Sequence, residues 1–175
     1  MTTTSDVLMR KAVASEAERL AEIGYLAWDR DLRPFLTGEA ASRQVERRRL
    51  GAAVHELLDR TIVAELDGMA VGWCARARSR AYIPYLFVTP VLQNQGIGTL
   101  LLRRMESLLE LAGADSVQLD TLSDNVRAVN FYQHQGYRIL VLKHEGPGGP
   151  DPQTSIRLEK SLNPYRGPVT DKEQE

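Results

Sequence analysis

The chain has 175 residues, with 22 Lys and Arg against 23 Asp and Glu and a formal net charge of −1. This length predicts one domain with a substantial core, and the balanced charge excludes a strongly basic nucleic-acid binder. A lone cysteine, Cys74, excludes an internal disulfide framework and a cysteine-based zinc cluster, and no apolar run approaches the roughly 20 residues of a membrane span. The polar N-terminus lacks an apolar signal core, so we expect a cytoplasmic protein with no metal, nucleic-acid or membrane partner.

The first third of the chain reads as one strand followed by two helices. Residues 7–14 predict a short strand, and residues 15–18, Ser-Glu-Ala-Glu, fit a capping box in which a serine hydroxyl and a glutamate satisfy backbone amides at a helix start. Apolar residues then recur at helical spacing until Pro34 breaks the helix. A second helix is predicted over residues 39–58.

A β-hairpin and a third strand follow. Thr61–Leu66 is rich in β-branched residues, and Asp67-Gly68 is a strong hairpin turn signal. Residues 69–77 are predicted to form the partner strand, and residues 81–88 the next strand of the same sheet.

The second half of the chain alternates strands and helices. The remaining predicted elements are helices over residues 99–111 and 126–135 and strands over residues 117–122, 137–143 and 154–160. Residues 145–153 are crowded with Gly and Pro and predict a loop. Hairpins first and strand–helix–strand units later predict an α+β, or mixed α/β, fold. We expect a single domain over residues 1–162 and a polar tail over residues 163–175.

A glycine turn between a strand and a helix is the strongest local signal. It runs Gln93, Asn94, Gln95, Gly96, Ile97, Gly98 and leads into Thr99. Free amides at a helix start suit a phosphate, although a plain strand-to-helix turn explains the glycines equally well. No Gly-Lys-Ser/Thr of a P-loop occurs. Gly96 and Gly98 fit the first two glycines of a dinucleotide loop, but Leu101 stands where the third is needed, and Asp120 downstream keeps that alternative open.

Two motifs carry a family resemblance. Gln93, Gly96 and Gly98 complete a Gln/Arg-x-x-Gly-x-Gly/Ala pattern. The second motif, Asn-x-x-Ala-x-x-Phe-Tyr-x-x-x-Gly-Tyr, starts at Asn125 and ends at Tyr137. Their order and spacing resemble the GNAT superfamily of acyl-CoA-dependent N-acyltransferases.

The resemblance implies a fold and a cosubstrate site. The implied fold is a central mixed, mostly antiparallel sheet flanked by helices, in which the strands over residues 81–88 and 117–122 splay apart to admit the pantetheine arm of acetyl-CoA. The residues implied to bind this cosubstrate are Phe87, Val88, Gln93, Asn94, Gln95, Gly96, Ile97, Gly98, Thr99, Asn125 and Tyr132.

The resemblance also implies direct attack of a neutral amine on the thioester, with Tyr132 as the acid that protonates the departing sulfur. A phenol with a pKa of about 10 stays protonated at neutral pH. Without the surrounding motif, Tyr132 reads as an ordinary core aromatic. No acid occurs at the start of the first splayed strand, so Asp120, Glu65 and a chain of waters are left as alternatives for the base.

The segment from Trp28 to Phe35 alternates aromatic and charged residues. In the family this region walls the acceptor site, so Trp28, Asp29 and Asp31 are predicted to bind an amine, with an ordinary helix-ending loop as the alternative. A basic run over residues 43–49 reads as a solvated helix face or as a site for an acidic acceptor.

The sequence therefore predicts an N-acetyltransferase that uses acetyl-CoA and a primary amine, and it is compatible with a homodimer. The rivals are a non-catalytic acyl-CoA-binding or regulatory domain on the same fold and a dinucleotide-dependent oxidoreductase. Cys74 and the three histidines read as packing or surface residues, because none has a partner at catalytic or metal-ligand spacing.

Overall fold

Seven strands and four α-helices form the described part of the chain, which in this computed structural model comprises residues 6–145 and 153–163. The elements are β1 (Leu8–Lys11), α1 (Ala17–Asp31), α2 (Arg43–Leu57), β2 (Thr61–Leu66), β3 (Met69–Ala75), β4 (Tyr85–Val88), α3 (Ile97–Leu111), β5 (Ser116–Leu122), α4 (Val126–His134), β6 (Arg138–Glu145) and β7 (Gln153–Ser161). Nearly all of the predicted loop over residues 145–153 and of the predicted tail lies outside the described residues. No helix of the described residues is long and apolar enough to cross a bilayer.

The strands form two antiparallel half-sheets that meet at one point. The first has the order β1-β2-β3-β4 and the second the order β5-β7-β6. They are joined by a parallel bridge at which Gln118 donates to Ala81 and accepts from Ile83, both at 2.9 Å. No further ladder pair joins β4 to β5 within the described residues, so the two strands are open toward their carboxyl ends, as the splayed-strand prediction requires.

Helices cover the two faces of the sheets unequally. On one face α3 packs over both half-sheets through a core that contains Leu101, Met105, Val117 and Leu158, all at most 1% exposed. On the other face α1 and α2 pack over the first half-sheet around the fully buried Trp73. The indole N–H of Trp73 donates to the Leu20 carbonyl at 2.8 Å, which satisfies the polar group of this buried side chain.

The third predicted strand is shorter in the structure than in the sequence prediction. Residues 81–88 were expected to form one strand, but only Tyr85–Val88 pairs with β3. Pro84 supplies the reason, because a proline has no N–H for a ladder. The residues before Pro84 pair with β5 and those after it pair with β3, so the chain changes sheet at this proline.

The predicted start of the first helix is also corrected. The capping box over residues 15–18 does not form, because Ala14–Glu16 is a 3-10 turn and α1 begins at Ala17. Glu16 instead reaches back to the Val13 amide and is held by Arg10 at 2.8 Å. The second helix begins four residues later than predicted, where the Ser42 hydroxyl accepts from the Val45 amide as a true N-cap.

Candidate active site

A cavity of about 570 Å³ opens between the splayed strands β4 and β5. Its walls come from the end of α1, from β4 and the turn after it, from β5 and from α4. The predicted site residues that line it are Asp31, Phe87, Val88, Gln93, Asn94, Gly96, Gly98, Thr99, Asn125 and Tyr132. The structure therefore gathers ten of the predicted residues around one space.

The glycine turn forms one end of this cavity. Gly96 has φ 84° and precedes α3, and no side chain caps the helix there. The first amides of α3 consequently have no intrahelical partners, as the N-terminus of any helix leaves them. Ile97 turns its side chain into the core at 2% exposure, and the exposed Gln95 does not line the cavity. These two residues could bind the cosubstrate only through their backbone groups or from outside the cavity wall.

A side-chain network ties the glycine turn to the two helices beside it. The Gln93 amide donates to the Asp31 carboxylate at 2.7 Å and to the Val88 carbonyl at 3.2 Å. Arg127 donates to the side-chain oxygens of Gln93 and Asn94, each at 3.0 Å. The sequence prediction missed Arg127, although a cation in the first turn of α4 opposes the helix dipole and is itself a signal for another role.

Asn125 stands at the start of α4 and serves two purposes. Its side-chain oxygen accepts from the Ala128 amide at 3.2 Å and caps the helix. Asn125 is also buried and lines the cavity. Because the oxygen is used by the cap, its side-chain NH₂ is the group that remains for a ligand in the cavity.

Tyr132 lines the cavity from α4. Its ring packs against Phe131 and Tyr137, with centroids 5.1 and 5.7 Å away. Its hydroxyl makes no hydrogen bond within residues 6–145 and 153–163. Burial, and then proximity to Cys74 and Tyr82, raises the pKa of the Tyr132 phenol above its ordinary value, so the group stays protonated and can donate a proton.

The end of the cavity opposite the glycine turn carries a polar group on β5. Asp120 lines the cavity and binds Arg157 of β7 through two hydrogen bonds of 2.8 Å. The Tyr82 hydroxyl donates to the same carboxylate at 3.2 Å. Burial, and then the Asp120 charge, raises the pKa of Tyr82 to about 12. Asp120 is therefore held in an ion pair and is not a free base.

Three other predicted candidates lie outside this space. Trp28 is 2% exposed and packs against Tyr25 and Leu50 in the core, so it does not line the cavity. Asp29 is bound by Arg43 and Arg33, and these hydrogen bonds lower the pKa of its carboxyl. Glu65 lies on β2 in an ion pair with Arg10, and it does not line the cavity.

Cys74 is a buried core residue. It is 0% exposed, and burial raises the pKa of its thiol well above its ordinary value, so the thiolate that a nucleophile requires does not form. No group of three or more His, Cys, Asp and Glu side chains that could hold a metal ion occurs among the described residues.

Several known proteins share this architecture. A GCN5-related N-acetyltransferase from Rhodopseudomonas palustris superposes with a TM-score of 0.72 and 22% identity over 92% of this chain and 98% of that chain. The YncA protein of Salmonella typhimurium, described as a putative acetyltransferase with its cofactor acetyl-CoA, gives a TM-score of 0.68 and 17% identity over 94% and 98%. At these identities the likeness shows the fold.

Two sequence matches extend this result. Residues 20–137, more than half of the chain, match the Acetyltransferase (GNAT) family. The uncharacterized protein YdhI of Bacillus subtilis is 42% identical over 52 residues, which are 30% of this chain and 32% of YdhI. The matched segment thus spans about a third of that relative's length.

The family match over residues 20–137, together with the shared fold, defines the class of the chain as an acetyltransferase of the GNAT type. The chain belongs to the GNAT family of acetyltransferases. The dinucleotide-dependent oxidoreductase that the glycine turn left open is thereby excluded.

Proposed function

We propose that this protein transfers the acetyl group of acetyl-CoA to a primary amine by direct attack within a ternary complex. The observation that carries the proposal is the Tyr132 hydroxyl, which has no hydrogen-bond partner among the described residues and lines the same cavity as the unpaired amides at the start of α3. An acyl-CoA needs both features, because its pyrophosphate requires donors and its departing sulfur requires a proton.

The cosubstrate would lie along the open edge of β4. Thr89 donates its amide to Val71 of β3 at 2.8 Å, and neighbouring strand residues point their backbone groups to opposite edges, so the Val88 N–H points toward the gap. That N–H can bind the thioester carbonyl and stabilise the oxyanion that develops there. The amides of Gly98 and Thr99 and the Arg127 side chain supply donors for the pyrophosphate.

We assign two roles to the chain's own residues: Tyr132 transfers a proton, and the Val88 N–H stabilises the oxyanion. The neutral amine attacks the thioester carbon, the C–N bond forms, and the C–S bond breaks with its electron pair on sulfur. Tyr132 donates its proton to that sulfur and is reprotonated from water. The proton lost by the amine leaves through water, since Asp31 and Asp120, the carboxylates that line the cavity, are both held by partners.

A second candidate is a non-catalytic acyl-CoA-binding domain. The observation that favours it is the pairing of these two carboxylates, which leaves no free base beside the reaction centre in the described part of the chain. The Tyr132 phenol, a proton donor that lines the cavity, favours the enzyme.

An amine-library screen that follows free CoA release tests the proposal. We expect release to depend on an added amine and to fall in Tyr132→Phe, while calorimetric binding of acetyl-CoA persists in both proteins. Binding of acetyl-CoA without amine-dependent release from any library member would support the non-catalytic alternative instead. A cytoplasmic location and a homodimer stay predictions.

A further inference from the structure

The connection between β3 and β4 is an unbalanced cationic segment. It contains Arg76, Arg78 and Arg80, and no acidic residue occurs between positions 75 and 84. Arg78 and Arg80 are exposed, and none of the three forms an ion pair with any of the described residues. By contrast, Arg43, Arg47 and Arg49 of the basic helix α2 are each bound to a carboxylate.

This segment is fixed to the cavity wall. The Ala77 amide donates to the Tyr82 carbonyl at 2.8 Å, which closes the base of the loop. The Arg80 guanidinium lies over the Tyr82 ring at 4.6 Å from its centroid, and the Tyr82 hydroxyl binds the cavity-lining Asp120. Arg80 is thus two contacts away from a residue of the cavity wall.

Arg80 lies outside the cavity wall, on the Tyr82 side and away from the glycine turn. Tyr82 precedes β4, whereas the turn follows it, and the six residue steps from Tyr82 to Val88 span roughly 20 Å of extended chain. The donors proposed for the acyl-CoA phosphates therefore lie near the glycine turn. The arginines of this loop lie in a separate region, near Tyr82. An acetyl acceptor that enters at the end near Tyr82 would stay clear of the donors proposed for the phosphates.

The charges of the described side chains around that end do not cancel. Asp120 is neutralised by Arg157, whose guanidinium also lies 5.8 Å from the Tyr82 ring centroid. Asp31 is bound to Gln93 and lies 3.6 Å from Arg127, near the glycine turn. Among the described side chains at this end, the positive charge that no ion pair offsets is therefore that of the β3–β4 connection, with Arg78 and Arg80 its exposed members.

We propose that the acceptor is a small amine that also carries an anionic group, a carboxylate or a phosphate, and that Arg80 together with Arg78 binds this group beside the Tyr82 ring. The inference rests on the proposed acetyl transfer and names its substrate class. It also addresses the missing base: nearby cations lower the pKa of the acceptor ammonium, which favours the neutral amine that attacks the thioester.

Matched acceptors that differ mainly in the anionic group test the proposal. β-Alanine is compared with β-alaninamide, and phosphoethanolamine with ethanolamine, at saturating acetyl-CoA with CoA release as the readout. We expect the anionic member of at least one pair to have a kcat/KM about 10-fold higher than its neutral partner, the gain typical of a hydrogen bond to a charged group. The pair that shows the gain distinguishes carboxylate from phosphate, and the gain should shrink in about 0.5 M salt.

Variants locate the effect. Arg78→Gln with Arg80→Gln should abolish the preference for the anionic member, while the activity toward the neutral member is retained. Arg104→Gln is the matched control, because Arg104 is an exposed arginine on α3 that forms no ion pair with the described residues. Neutral partners used as well as anionic ones, or a double variant that lowers both activities equally, would overturn the proposal.

A binding experiment tests the anion site independently of acetyl transfer. Glutarate and glutaramide carry no amine, so their binding to the CoA-loaded protein, followed by NMR titration, does not depend on turnover. We expect glutarate to bind more tightly than glutaramide, and this difference to disappear in the double variant. If no amine is acetylated but this pattern holds, acetyl transfer fails and the anion site stands; equal binding of glutarate to parent and double variant would refute the site.

Discussion

Arg127 of α4 and Asp31 of α1 face each other across the mouth of the cavity, with Nη1 and Oδ1 3.6 Å apart and the Gln93 side chain hydrogen-bonded to both. The pair places a negative charge beside the amides that are proposed to bind pyrophosphate. A bound pyrophosphate would compete with Asp31 for Arg127 and Gln93. The carboxylate should therefore weaken acetyl-CoA binding in the native protein.

Asp31→Asn should tighten acetyl-CoA binding. The amide keeps an oxygen that can accept from Gln93 but removes the charge, and a partly exposed charge of this kind changes affinity by about 2–5-fold. The measurement is calorimetric titration of acetyl-CoA. Asp29→Asn is the control, because that carboxylate is bound by Arg43 and Arg33 and does not line the cavity.

The same variant decides between two roles of Asp31. The sequence predicted that Asp31 holds a cationic acceptor. An unchanged acetyl-CoA Kd together with a raised acceptor KM would support that role and contradict ours.

Gly96→Ala should lose acetyl-CoA affinity. The left-handed φ of 84° at Gly96 costs an alanine about 1 kcal/mol, and relaxation of this strain turns the first amides of α3 away from the pyrophosphate. Gly113→Ala is a close control at the other end of α3, where φ is 92° and an added Cβ meets nothing within 4 Å. Both variants should unfold at similarly lower denaturant concentrations, but only Gly96→Ala should bind acetyl-CoA about 10-fold more weakly. Equal affinities in the two variants would remove the glycine turn from the cosubstrate site.

Tyr132→Phe should lower kcat and leave the acetyl-CoA Kd nearly unchanged. The phenylalanine ring keeps the packing against Phe131 and Tyr137, while the proton donor that contributes about 10²–10⁴-fold is removed. Single-turnover measurement of the chemical step isolates this effect from product release.

Tyr137→Phe is the matched control for that experiment. Tyr137 is a neighbouring buried phenol, but its hydroxyl donates to Glu106 at 2.9 Å inside the core and does not line the cavity. This variant should lower stability and retain the rate of the chemical step. A Tyr132→Phe protein as fast as Tyr137→Phe would assign the proton to another donor.

Alkaline pH should destabilise the fold partly through Tyr82. Burial and Asp120 raise the pKa of Tyr82 from 10.0 to about 12. A pKa that is higher in the folded state stabilises the fold below the ordinary value, and this contribution is lost as the pH rises through the folded value. The free energy of unfolding should therefore fall between pH 10 and 12, less steeply in Tyr82→Phe, as measured by urea denaturation alongside the phenolate absorbance. Identical slopes for the two proteins would mean that Tyr82 is not perturbed by the fold.

The sequence was most informative where a local pattern sets local geometry. Asp67-Gly68 correctly predicted the turn between β2 and β3, and the glycines at 96 and 98 correctly predicted where the chain passes from β4 into α3. These features depend on backbone conformation within a few residues, which residue type largely determines. The splayed strands, in contrast, were predicted only through the family resemblance.

Contacts between distant segments were beyond sequence reasoning. Nothing in the sequence shows that Arg157 of β7 binds Asp120, or that Arg127 reaches Gln93, because side-chain partners far apart in the chain are chosen by the tertiary fold. Trp28 shows the same dependence on the tertiary fold. The alternation of aromatic and charged residues from Trp28 to Phe35 suggested a binding residue, but α1 extends to Asp31 and the indole is buried in the core.

The joint between the half-sheets, two hydrogen bonds around Gln118, has a mechanical consequence. So small a joint cannot set the width of the cleft, and that task falls to the apolar core that α3 shares with both half-sheets. A substitution that leaves a cavity in this core, for example at Met105, would change the width of the cleft and also lower the free energy of unfolding. Core substitutions far from any ligand would then change the acetyl-CoA affinity, because they change the spacing of the two half-sheets. The acetyl-CoA Kd would thus report on how well the interior is packed.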